Sequence, residues 1–121
     1  MDSHAAAELA TEAADALDDT VTVTTDFTVA SNTVTAGGTA VLIDPPQIEF
    51  PTTSAAETTW TLWIASGRAD HAEAWQDTAD TLTALVKALG IDDARPGTFK
   101  PNHGPGVTAW AATLTRSYDL I

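Results

Sequence analysis

A chain of 121 residues has room for one domain, spanning residues 1–121, with a core that removes about two-thirds of its unfolded surface from water. Its composition, 44% hydrophobic and 18% charged with no cysteine, excludes wholesale disorder, a disulfide scaffold, a thiolate metal centre and a cysteine nucleophile. Seventeen acidic residues against five basic ones give a net charge of −12, which opposes ordinary binding to nucleic acid or to an anionic membrane.

The predicted elements begin with an amphipathic helix over Ser3–Asp18, capped by Ser3. Leu9, Ala13, Ala16 and Leu17 form its apolar stripe, with Glu8, Glu12, Asp15 and Asp19 on another face. The opening residues Met1-Asp2-Ser3-His4 lack the basic and apolar regions of a signal peptide, and no apolar run approaches the ~20 residues of a membrane helix. Thr20–Val29 reads as a half-buried strand, because Val21, Val23, Phe27 and Val29 alternate with threonine and aspartate. Ser31-Asn32 and Gly37-Gly38 read as turns.

Thr39–Asp44 is predicted as a second, more central strand, stopped by Pro45-Pro46. Ile48 and Phe50 then form an extended edge with two apolar anchors, and Thr52–Ala56 a loop. Glu57–Ser66 is predicted as a third strand, with Trp60, Leu62 and Ile64 on one face and Thr59, Thr61 and Trp63 on the other. Tryptophans on opposite faces require cover on both sides of the sheet, from a helix or a neighbouring subunit.

A second helix follows, opened by the Asp70/Glu73 capping pair and closed by Gly90. Its expected stripe is Trp75, Ala79, Leu82, Leu85, Val86 and Leu89. Residues 91–106, with three prolines and three glycines, read as a long functional loop, mobile in the free subunit. Val107–Arg116 closes the chain as a strand, and Trp75 and Trp110 are expected in the core. The expected architecture is α+β: a two-layer sandwich of a mainly antiparallel four-stranded sheet and two helices, in the order α-β-β-β-α-β.

Chemistry-bearing patterns are sparse. His4, His71 and His103 lack metal-ligand spacing, and the serines lack a nucleophile-elbow context. Asp18-Asp19 and Asp92-Asp93 lie at helix ends without the alternating acids of a calcium loop. The expectation is therefore no enzyme, no cofactor and no metal. Charge is more informative: residues 1–67 carry ten acids and no lysine or arginine. The later half holds every base, including the Arg95, Lys100 and His103 stretch, which reads equally as a phosphate or acidic-partner contact or as a solvated loop. The residues assigned to a subunit or partner interface are Trp63, Arg95, Phe99, Lys100 and His103.

Several local features together resemble the tail terminator family of long-tailed bacteriophages, in particular those of actinobacteria. They are the short acidic first helix and Ala40-Val-Leu-Ile-Asp-Pro-Pro46 with the following Ile48 and Phe50. Next come Thr59-Trp-Thr-Leu-Trp-Ile64 with the Trp75 helix, then Ala94-Arg-Pro-Gly-Thr-Phe99, and the strand from Val107-Thr-Ala-Trp110. The resemblance spans nearly the whole chain and is carried by these local features together. It implies a structural virion protein, assembled in the host cytoplasm into a homohexameric ring that caps the head-proximal end of the tail tube. Such a ring ends tube polymerisation and provides the joint to the head connector. Its implied partners are further copies of itself, the major tail tube protein and a head–tail connector or stopper, with genomic DNA passing through the lumen without sequence-specific binding. Two alternatives stand beside it: another neck component of similar size and acidity, or a small ligand-binding or enzymatic α+β domain.

Overall fold

A computed structural model describes residues 4–119. Among them, three helices and six strands follow one another as α1 (His4–Ala16), β1 (Val21–Thr24), α2 (Phe27–Thr35), β2 (Thr39–Ile43), β3 (Gln47–Thr52), β4 (Ala55–Ser66), α3 (His71–Leu89), β5 (Asp93–Phe99) and β6 (Val107–Asp119). The α+β class expected from the sequence is present. The detail differs, with a third helix and two additional strands. The sheet order is β1-β2-β4-β6-β5, with β3 also pairing β4. The sheet is mixed, because β1 and β2 run parallel through the α2 crossover while every other pair is antiparallel.

The first correction is α2. The alternation begun by Val21 and Val23 ends at Thr24, and Asp26 caps a helix by accepting a hydrogen bond from the Thr28 amide at 2.8 Å. Ser31-Asn32 is thus helix interior, not a turn. Ala30, Ser31 and Val34 are its buried residues, and they press on one face of the sheet. Phe27 and Val29, expected on a strand, are exposed at the start of this helix. The segment is rich in threonine and β-branched residues, poor helix formers in isolation, so packing on the sheet decides its conformation.

The architecture is accordingly not a two-layer sandwich. α1 and α3 cover one face, where Leu9, Ala13 and Leu85 meet Val41, Ile43, Trp60, Leu62, Ile64 and Leu114. α2 covers part of the other, where Ala30 and Val34 meet Ala40, Leu42, Ala65, Phe99 and Ala109. Strand periodicity explains the division: alternate residues of β2 and β4 enter opposite cores. The cover that Trp63 demanded on the second face is supplied within the chain, so this tryptophan by itself no longer requires a neighbour.

The expectations for β2 and β4 hold, with Trp60 fully buried and Trp63 half-buried. β4 begins two residues earlier than expected. The expected loop at Thr52–Ala56 narrows to the tight turn of a hairpin, in which Gln47 pairs with Thr59, Glu49 with Glu57 and Thr52 with Ala55. All six residues of β3 are exposed.

Helix α3 has the expected caps: Asp70 accepts from the Glu73 amide at 2.9 Å, and Gly90 closes the helix in the left-handed conformation. Its buried line is rotated from the expected stripe and runs through Ala74, Thr78, Thr81 and Leu85. The two threonines tolerate burial because their hydroxyls donate to the Trp75 and Asp77 carbonyls of the same helix. Trp75 and Val86 consequently lie exposed. Trp75 stacks on the half-buried Trp110 with ring centroids 4.9 Å apart. α1 ends at Ala16, two residues before the expected limit, and the expected Ser3 cap lies outside the described residues.

The last correction concerns residues 91–106. Asp93–Phe99 is a strand at the sheet edge, where Pro96 is tolerated because no further strand needs its missing amide. The connection to β6 is held to α2: the Asn102 amide donates to Ser31 Oγ at 2.7 Å, and Thr35 Oγ1 donates to the His103 carbonyl at 3.3 Å. This segment is a strand and a tethered turn rather than one long free loop.

Candidate functional site

The residues assigned to an interface converge only in part. A hollow of about 220 Å³ opens beside the N-terminal end of α2, between that helix and the sheet. Trp63 from β4, Phe99 from the end of β5 and Lys100 just beyond it line this hollow, together with Phe27, Leu42 and Asp44. Phe99 is buried and tilts against Phe27 with ring centroids 5.5 Å apart. The Trp63 indole is fixed from both sides. Its Nε1 donates to Asp44 Oδ2 at 2.9 Å, and its ring lies over Gly97, where any added Cβ would sit 3.2 Å away.

Phe27 and Asp44 are functional candidates that sequence reasoning did not single out. Asp44 was legible as the residue ending a buried strand before Pro45-Pro46; its role as acceptor for a tryptophan nineteen residues away was not. Phe27 was hidden by its assignment to a strand.

Arg95 and His103 do not line the hollow. Arg95 is highly exposed on β5 and pairs with Asp93 Oδ2 at 3.0 Å, a solvent-facing contact of small energetic weight. His103 is exposed in the connection after β5, with its backbone carbonyl engaged by Thr35. Lys100 makes no ion pair within 4.0 Å among the described residues, which leaves an uncommitted cation at the rim of an aromatic hollow.

A larger, open cleft of about 590 Å³ lies where the ends of α1 and α2 approach α3. Arg68, Asp18, Asp77 and Asp80 border it. Arg68 is already engaged by Asp77 at 3.3 Å and Glu73 at 3.6 Å, so the cleft presents no free cation to an anionic ligand. Among the described residues, no group of three or more histidine, aspartate or glutamate side chains is placed to hold a metal ion. No described helix is long and apolar enough to cross a membrane.

Exposed apolar side chains mark the remaining surface. Phe27 and Val29 stand on α2, Ile48 and Phe50 on the β3–β4 hairpin, and Trp75 and Val86 on α3. They occupy three separate elements. Comparison with protein-family models, curated proteins and solved structures finds no match to this chain.

Proposed function

We propose that this protein is a structural subunit of the tail-terminator type. In this reading it closes into a ring of six copies on the head-proximal end of a bacteriophage tail tube, ends tube growth and joins the tube to the head connector. The observation that carries the reading is the separation of its exposed apolar groups onto α2, the β3–β4 hairpin and α3. A ligand-binding domain gathers such groups around one pocket. A ring subunit must meet a neighbour on each side through two different patches, and its tube through a third. The sequence resemblance to terminators supplies the biological setting, and the negative charge suits a lumen that lets DNA pass without gripping it.

The test is genetic and structural together. Removing the gene from the phage that carries it is expected to yield overlong tails. Adding the purified protein to tail tubes is expected to place a rotationally symmetric ring at one end. Tails of normal length that fail to join heads would assign the chain to another neck component instead. A protein that neither binds tubes nor affects tails would end the structural reading and return attention to the cleft beside Arg68.

A further inference from the structure

We infer that the cleft beside Arg68 binds a linear aliphatic diamine, a short methylene chain with an ammonium group at each end. The inference is independent of the ring reading, because none of the exposed large apolar side chains borders this cleft. At about 590 Å³ it lies within the ~300–1,000 Å³ range of small-molecule sites.

Its electrostatics disfavour an anion and call for two positive charges. Asp18 borders it from the turn after α1, and Asp77 and Asp80 from α3, one helical turn apart. Arg68 is the one base among the lining residues, so three carboxylates and one guanidinium leave a charge of −2. That guanidinium is already shared between Asp77 and Glu73. Asp18 and Asp80 have no ion-pair partner within 4.0 Å among the described residues; they accept only from the Thr20 amide and the Gln76 side-chain amide. Helices α1 and α2 both end at the cleft without a base in the last turn, so the negative ends of two helix dipoles reinforce the field. The carboxylates stand on separate walls and are not gathered to ligate a metal ion, which suits an extended cation instead of a point charge.

A buried hydroxyl points to a ligand independently of charge. Thr39 opens β2 on the face that carries Val41 and Ile43, the side of the sheet covered by α1 and α3. The residue is only 9% exposed and lines the cleft, and its hydroxyl makes no hydrogen bond among the described residues. Leaving a buried hydroxyl unpaired is costly, and a donor placed in the cleft removes that cost. An ammonium group offers donors only, which matches walls made of carboxylate and hydroxyl oxygens. Between these oxygens the half-buried Leu17, Val21 and Ala84 supply apolar surface for the methylene chain.

Calorimetric titration of the full chain at low salt with 1,4-diaminobutane is expected to show one site per chain, about tenfold tighter than for butylamine or magnesium ion. Thr39→Val keeps the shape of the side chain and is expected to weaken binding about fivefold. Asp18→Asn with Asp80→Asn, both at exposed positions, is expected to weaken it about tenfold or more, with melting curves confirming that each variant is folded. Glu49→Gln with Glu57→Gln removes the same charge from the β3–β4 hairpin and is expected to leave the affinity within about twofold of the parent. An equal loss in the hairpin pair, or none in the Asp18 and Asp80 pair, would show that the net charge of −12 gathers diamines diffusely and would overturn the site. Butylamine binding as tightly as the diamine would overturn the two-ended ligand, and unchanged affinity in Thr39→Val would overturn the part given to its hydroxyl. Absence of any binding at low salt would overturn the inference while leaving the ring reading untouched.

Discussion

Replacing Gly67 by alanine tests the placement of α2 more directly than any change inside that helix. Gly67 leaves the end of β4, and its amide donates to the Gly38 carbonyl at 2.9 Å, so the linker lies against the turn between α2 and β2. A Cβ on Gly67 would stand 1.7 Å from the Val34 carbonyl oxygen and 2.7 Å from the Val34 carbonyl carbon. Both atoms are backbone, and the oxygen accepts the Gly37 amide at 2.9 Å, so neither can swing aside as a side chain would. Relief requires the linker and the last turn of α2 to part by more than an ångström. Overpacking of this kind costs about 1–3 kcal/mol where the surroundings adjust, and here the upper end applies. For a domain of this size about 3 kcal/mol corresponds to a fall in Tm of about 12 °C. Gly90→Ala is the comparator: it meets no neighbouring atom, carries only the strain of its left-handed backbone, and should cost about 1 kcal/mol. Thermal melts followed by circular dichroism measure both. If Gly67→Ala melts within about 3 °C of the parent, the Val34 carbonyl is not beside Gly67 and the docking of α2 on the linker is wrong.

Trp63→Phe removes the indole donor to Asp44 and is expected to cost about 1–2 kcal/mol in urea unfolding; Asp44→Asn should cost less, and the double variant less than the sum of the singles. Asp26→Ala deletes the cap of α2 and should destabilise by about 1 kcal/mol, with faster amide exchange in residues 27–35 as the local signature. Arg95→Glu combined with Lys100→Glu should leave the melting curve within about 1 kcal/mol of the parent, because both side chains are exposed, while tube capping falls most at low salt. Normal capping at low salt would remove those two bases from the interface.

Where period and caps agreed, the sequence was readable. β4 alternates cleanly, β2 is apolar throughout, and Asp70 and Gly90 bracket α3 as their chemistry dictates. Helix α2 was misread because Val21, Val23, Phe27 and Val29 keep a period of two across a boundary that only Asp26 marks. The signal that identifies it is Asp26 followed by Ala30 and Val34, then a glycine at 37. β5 was misread because Pro96 and Gly97 argue against a strand interior but are compatible with an edge, and edge status depends on the tertiary order of strands. The same dependence governs the candidate site. Trp63 could be named from the strand face opposite Trp60, Phe99 as the apolar residue of its segment, and Lys100 from its charge. Phe27 and Asp44 join them only through the crossover of α2 and the end of β2, contacts that local patterning does not encode.

The position of β6 between β4 and β5 governs the order in which the molecule can form. The β1–α2–β2 crossover and the β3–β4 hairpin each close over short stretches of chain, so their local contacts are available early. The central pairing of β4 with β6 joins segments roughly forty to sixty residues apart, and β5 has no partner in the sheet until β6 arrives. A nascent chain lacking residues 107–119 therefore has neither a closed core nor a seated Phe99 beside Trp63. During synthesis, the hollow beside α2 is therefore completed only in the step that completes the fold.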